Sequence, residues 1–270
     1  MTIFGVTMIR SAVAGNVDLE EANIVQRQII FAVIGFIVIF IASLIDYHLW
    51  ASVSRPLYLI TAVFLGALTI AGQALYGSAR WFDTGVILIQ PSEIAKIVVI
   101  LVLAEFFSRN QEKIGNLWWV GQSLLYTLGI VIWILLQPNL STSLVILVIW
   151  FSLLWASGLR LSHLMIFIAG GVTLPFVAFP FLEEYQQRRI LNFLFPDPTA
   201  SYGENYNIQQ ALISIGSGGW FGKGYFQGTQ IHLRFLKVRW SDFIFSGTAE
   251  EFGFVGTVIL MLLLMFVVYR

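Results

Sequence analysis

The stretch QIIFAVIGFIVIFIASLI, residues 28–45, decides the fold, because it carries no charged side chain from end to end. A helix crosses a bilayer with roughly 17–25 largely apolar residues, so this run is long enough to span. The pattern recurs at Pro56–Leu75, Glu93–Phe107, Leu117–Leu136, Leu140–Ser157 and Leu161–Leu182, and again from near Phe243 to the C-terminus. Met1–Ile9 is apolar but too short to span and lacks a basic leader, so it reads as the end of a first helix. Only helices or closed barrels satisfy the backbone in lipid, and these runs are too long and unbroken for barrel strands. The expected fold is all-α. It is a polytopic integral membrane helical bundle of about seven full transmembrane helices plus a partial first one, in a single domain over residues 1–270.

Composition agrees. The chain is 58% hydrophobic and only 11% charged, with zero net charge, so nothing suggests a nucleic-acid partner. It has no cysteine, which excludes disulfides, thiol catalysis and thiolate metal sites. His48, His163 and His232 are scattered and show no zinc-ligand spacing.

Lys and Arg in short loops set the orientation. Arg55, Arg109, Lys113, Arg160 and Arg270 fall on one side, expected to be cytoplasmic. Arg27 and Arg80 fall on the other, with Asp18, Glu20 and Glu21 near Arg27. That places residues 183–241 outside the membrane as a long, structured extracytoplasmic loop. The loop carries Arg188, Arg189, Lys223, Arg234, Lys237 and Arg239. Long loops largely escape the charge rule, so the topology stands, but the cations need a reason. Contact with anionic headgroups is one. A phosphorylated or pyrophosphorylated ligand is the other.

Within the loop, Phe195-Pro-Asp-Pro-Thr signals a turn. Asn205–Ser217 can form an amphipathic helix with Tyr206, Ile208, Leu212, Ile213 and Ile215 on its apolar side. Gly216-Ser-Gly-Gly-Trp-Phe-Gly-Lys-Gly lets the backbone approach a ligand or another helix closely. It is no nucleotide loop, since it lacks Ser or Thr after Lys and follows no predicted strand.

Three groups could carry chemistry. Asp242 lies at the outer boundary beside Arg239, as either a helix cap or a general base toward a hydroxyl nucleophile. Glu93 and Lys96, spaced i,i+3 after Pro91 and the expected cap Ser92, form either a structural pair or the lining of a polar cavity. Glu250 and Glu251 would sit roughly 12–14 Å beyond Asp242 along a helix. At that depth the helix must be buried in protein, or the span must start after Phe243.

These motifs, in this order, resemble a known family. Gly77-Ser-Ala-Arg-Trp-Phe, Gln90-Pro-Ser-Glu-Ile-Ala-Lys96, Gln137-Pro-Asn-Leu-Ser-Thr142, Arg189-Ile-Leu-Asn-Phe-Leu, Ile215 through Gly224, Gly228-Thr-Gln230, Ser241-Asp-Phe-Ile-Phe and Glu250-Glu-Phe-Gly-Phe-Val-Gly256 are similar to the SEDS proteins of shape, elongation, division and sporulation. The Gly-Lys-Gly…Gly-Thr-Gln and Arg-Ile-Leu-x-Phe-Leu elements lean toward the RodA elongation branch.

The resemblance implies a ten-helix membrane protein of the bacterial cytoplasmic membrane, of which this chain holds the tail of helix one and helices two to eight. It implies polymerisation of lipid II into glycan strands at the outer face, for cell elongation and shape. Expected partners are a class B penicillin-binding protein and other elongation-complex membrane proteins. The family's catalytic Asp falls on Asp242 and its Glu–Lys pair on Glu93 and Lys96. Arg80, Arg188, Arg189, Lys223 and Arg239 are the further expected substrate-binding or cavity-lining residues. No cofactor is required with certainty, and a divalent cation, magnesium or manganese, is the one candidate. The chain has Asn139 and Ser141 where the family usually has Asp and Gly, and Ser241 where it has Thr. Two rival readings are a flippase for lipid-linked precursors and a non-catalytic scaffold that activates its partner.

Overall fold

The computed structural model describes residues 1–14, 23–76, 82–83, 88–111, 116–137, 139–195, 204–233, 235–236 and 239–270. The helices are α1 (Thr2–Val13), α2 (Ile24–Leu44), α3 (Tyr47–Tyr76), α4 (Pro91–Arg109), α5 (Leu117–Leu136), α6 (Leu140–Ala156), α7 (Leu161–Ala178), α8 (Glu184–Leu194), α9 (Glu204–Ser217), the single turn α10 (Thr229–His232) and α11 (Ile244–Tyr269). Between α3 and α4, Phe82–Asp83 pairs antiparallel with Leu88–Ile89. Every apolar run falls on a helix, and the protein is an all-α integral membrane protein. Among the described residues, four helices are long and apolar enough to cross a bilayer by length and composition: α2, α3 over Tyr47–Ile70, α5 and α11. α4 carries Glu93, Lys96, Glu105 and Arg109 and is not among them. α3 also starts earlier than expected and runs straight through Pro56.

The chain forms two compact units, Met1–Ala42 with Phe181–Arg270, and Ser43–Pro180. In the second, α3, α4, α5 and α6 pack around Leu65, Val99, Leu103, Ile130, Ile134, Ile146 and Leu154, all buried. Lipid tails are as apolar as these side chains. Association therefore rests on close packing and interhelical hydrogen bonds, not on expulsion of water. The structure supplies both. Gly66 sits against the Trp133 ring, and a side chain on Gly129 would strike the Tyr58 hydroxyl. Buried Gln137 donates to Thr69 Oγ1 at 2.9 Å, and Trp150 Nε1 donates to Ser123 Oγ at 2.9 Å. Ser123→Ala would leave that indole unpartnered in an apolar core. We expect a loss of about 1 kcal/mol in thermal or denaturant unfolding in detergent, near the average for such bonds in membranes.

The helix starts follow local rules. α4 has Pro91 at its first position, where the missing N–H is no loss. Its cap is Gln90, not the expected Ser92, whose hydroxyl is buried without a hydrogen-bond partner. Asn139 caps α6, its carbonyl oxygen accepting from Thr142 N at 3.2 Å. An amide oxygen serves there as well as a carboxylate, so the substitution keeps the cap while removing the charge.

In the first unit, α1, α9 and α10 pack on α11. α9 covers the expected amphipathic stretch, Asn205–Ser217. Its buried face is small and polar, with Asn205, Ala211 and Ser214, while Ile208, Leu212, Ile213 and Ile215 are exposed. Small polar side chains on that face let α9 approach α11 closely.

Candidate active site

The glycine-rich run and the acidic pair of α11 form one structure. α11 is broken at Gly253, whose φ of 68° and ψ of −169° are closed to residues with a side chain. A break in a membrane helix strands backbone groups that lipid cannot satisfy. Here the loop satisfies them. Lys223 N donates to Glu250 O and Gly224 N to Glu251 O, each at 2.9 Å. On the far side of the break, Phe254 N donates to Gly219 O at 2.8 Å and Val255 N to Trp220 O at 3.0 Å. The fit tolerates no side chain. A Cβ on Gly222 would lie 2.2 Å from Glu251 O, and one on Gly253 would lie 2.3 Å from Gly222 N. Gly222 also has φ +80°. Gly222→Ala is expected to lower stability by about 2 kcal/mol or more, read as a drop in Tm in detergent, since neither clashing group is a flexible side chain.

Side chains close the clasp. Glu250 is fully buried and accepts from Lys223 Nζ at 2.6 Å, Thr229 Oγ1 at 2.9 Å and Gln230 N at 3.1 Å. Lys223 Nζ also donates to Ser217 Oγ at 2.9 Å and Thr229 Oγ1 at 2.8 Å. An ammonium has three donors, and all three are committed inside the protein. Neighbouring Glu251, 1% exposed, accepts from Ser11 Oγ of α1. The two acids are thus buried in protein, and the uninterrupted apolar part of α11 begins only after Gly253. Of the two expectations for their depth, burial in protein is the one met.

α1 is tied in twice more. Tyr225 donates its hydroxyl to Thr7 O at 2.8 Å. Burial pushes that phenol above its ordinary range, against the pull of Arg10. Arg239, only 5% exposed, donates from Nε to Ala12 O at 2.6 Å.

Asp242 lies just outside this frame, two residues before α11. It does not cap the helix. The cap position is Phe243, with no side-chain bond. The Asp242 carboxylate is exposed and accepts from Ser241 Oγ at 3.0 Å through Oδ1. A threonine hydroxyl could make the same bond, which explains why serine serves here. Among the described residues, Oδ2 has no hydrogen-bond partner.

The remaining expected site residues are spread. Arg188 and Arg189 are exposed on α8, Arg188 within 3.5 Å of Glu184. In the other unit, Lys96 pairs with Glu93 at 2.7 Å on the first turns of α4, with Glu93 the more exposed. Arg80, Arg234 and Lys237 lie outside the described residues. Sequence reasoning missed the Lys223–Glu250 pair, although its two signals were visible. A lysine among glycines and an acid too deep for lipid each needed a partner, 27 residues apart.

Comparison with known proteins places the chain. The family model of cell cycle proteins that covers FtsW, RodA and SpoVE matches residues 1–270. The protein named "Peptidoglycan glycosyltransferase MrdB" of Escherichia coli strain K12 is 32% identical over 255 residues, covering 93% of this chain and 68% of that protein. "Probable peptidoglycan glycosyltransferase FtsW" of Geobacter sp. strain M18 is 32% identical over 279 residues, covering all of this chain and 74% of its own length. Among solved structures, a chain of a peptidoglycan synthase complex that coordinates polymerization and crosslinking superposes with a TM-score of 0.69. Its identity is 28%, covering 96% of this chain and 73% of that one. Rod shape determining protein RodA of Thermus thermophilus gives 0.60 at 26% identity, covering 96% and 66%. The chain therefore belongs to the FtsW/RodA/SpoVE family of cell cycle proteins, the SEDS family that its motifs resemble.

Proposed function

We propose that this protein is a peptidoglycan glycosyltransferase that polymerises lipid II at the outer face of the bacterial cytoplasmic membrane, with Asp242 as its general base. The observation that carries the reading is the exposed Asp242 carboxylate. One oxygen is oriented by Ser241, the other is open, and the segment is anchored by a buried clasp. The donor sugar is α-linked to undecaprenyl pyrophosphate and the product is β-1,4-linked, so the transfer inverts. The acceptor 4-hydroxyl attacks C1 of the donor as its bond to the pyrophosphate oxygen breaks, and Asp242 takes the hydroxyl proton. One base and a stabilised leaving group suffice, with no covalent enzyme intermediate.

The departing pyrophosphate needs positive charge. Among the described residues, Arg188 and Arg189 are the exposed loop cations that suit this role, whereas Lys223 and Arg239 act by holding the frame. Among the described residues no three His, Asp or Glu side chains gather into a metal-binding group, and a divalent cation beside the pyrophosphate stays part of this proposal. The lean toward the elongation branch and a class B penicillin-binding protein as partner belong to the same proposal.

A helix break such as that at Gly253 also occurs in transporters, where it lines a substrate cavity. Here four of the break's backbone groups are taken up by the loop, which favours a fixed frame over a transport path. Lipid II given to the full-length protein in detergent, with its partner's active site inactivated, is expected to yield glycan polymer. A flippase or a scaffold would yield none.

A further inference from the structure

We infer that the end of the second unit opposite the Glu93–Lys96 turn holds a binding site for an anionic phospholipid. A cavity of about 300 Å³ opens between α3, α4 and α5. Its polar side is built on Glu105, whose side chain is only 7% exposed and accepts from Ser54 Oγ. Two guanidiniums face the same oxygen, Glu105 Oε1: Arg109 at 2.7 Å and Arg55 at 4.0 Å. Their side chains are 60% and 71% exposed, so both keep N–H donors turned outward. Among the described residues of the lining, two positive charges around one carboxylate leave a net charge of +1 at the mouth. A phosphodiester headgroup carries one negative charge and accepts such forks bidentately.

The other wall is Tyr58, Phe106 and Tyr126, with Tyr58 held by a bond to Tyr126 O at 2.9 Å. That wall is largely aromatic carbon, which suits an acyl chain better than a free phosphate. Arg55 and Arg109 both belong to the set expected to face the cytoplasm, where basic pockets between membrane helices meet anionic headgroups. The buried Glu105 acts as a spacer that aims the two arginines. It is not itself a ligand.

The test is photo-crosslinking of the full-length protein in nanodiscs with a diazirine-tailed phosphatidylglycerol, read as adduct on the peptides that carry Tyr58 and Phe106. Dioleoylphosphatidylglycerol is expected to compete about tenfold better than dioleoylphosphatidylcholine, and the chain-free headgroup glycerophosphoglycerol is expected not to compete. Arg55→Gln should lower adduct yield several-fold, and Arg55→Gln with Arg109→Gln about tenfold. Arg55 is exposed and its contact is long, so its single variant keeps the fold and decides the matter if the double variant does not fold. Equal competition by the two lipids would overturn the proposal. So would undiminished adduct in Arg55→Gln, or competition by the headgroup alone.

Discussion

Lys223→Met is expected to destabilise the protein by about 3–5 kcal/mol, the range for leaving one member of a buried ion pair without its partner. Methionine keeps most of the side-chain volume, so the loss is electrostatic in origin. Glu250 is completely buried, and without Lys223 its charge would rest on Thr229 Oγ1, Gln230 N and the hydroxyls of Ser214 and Ser217, which donate to it at 3.3 and 3.4 Å. The effect should reach beyond the pair. Lys223 is also the residue whose backbone N–H covers Glu250 O at the Gly253 break, so loosening its side chain exposes carbonyls that lipid cannot satisfy. Unfolding in detergent should therefore start at a lower temperature, and limited proteolysis should cut first within residues 217–230. The double variant Lys223→Met with Glu250→Met should recover most of the loss, because replacing a whole buried pair with apolar groups is often near neutral. Three variants and wild type form a cycle whose coupling should be large and favourable. If the two single losses simply add, the clasp is not a unit.

Much of the fold was legible because a bilayer imposes a coarse rule. Run length and the scarcity of charge place the helices, and α5 begins and ends where its apolar run does. What escaped was set by contacts distant in sequence. The Gly253 break has no local signal strong enough to stop a helix, since a single glycine in an apolar run is ordinary in membranes. Only the presence of residues 218–224 against it makes the break stable. Which face of α9 is buried was not legible for a related reason. Amphipathicity tells which side is apolar but not whether the neighbour is water or lipid. At the site, local residues left Asp242 balanced between cap and base, and the geometry removes the cap. For Lys223, charge alone left headgroup contact and a phosphorylated ligand open, whereas its three donors are used within the protein.

Asp242→Asn should have the larger consequence for activity, with little for stability. The change is isosteric, the side chain is exposed, and the amide oxygen can still accept from Ser241. What it removes is the ability to take a proton from the acceptor hydroxyl. Loss of a general base lowers the rate by about 10²–10⁴-fold. Substrate binding depends on the sugar, pyrophosphate and lipid contacts and should change little. The defect should therefore fall on kcat with a nearly constant KM.

The most direct measurement is the rate of lipid II consumption by the full-length protein with its partner's active site inactivated. Wild type is compared with Asp242→Asn, and lipid II binding is measured in parallel. Asp242 as general base predicts a fall of about 10²–10⁴-fold with binding preserved. A variant that polymerises within about twofold of wild type would contradict it, since a catalytic base leaves no room for so small a loss.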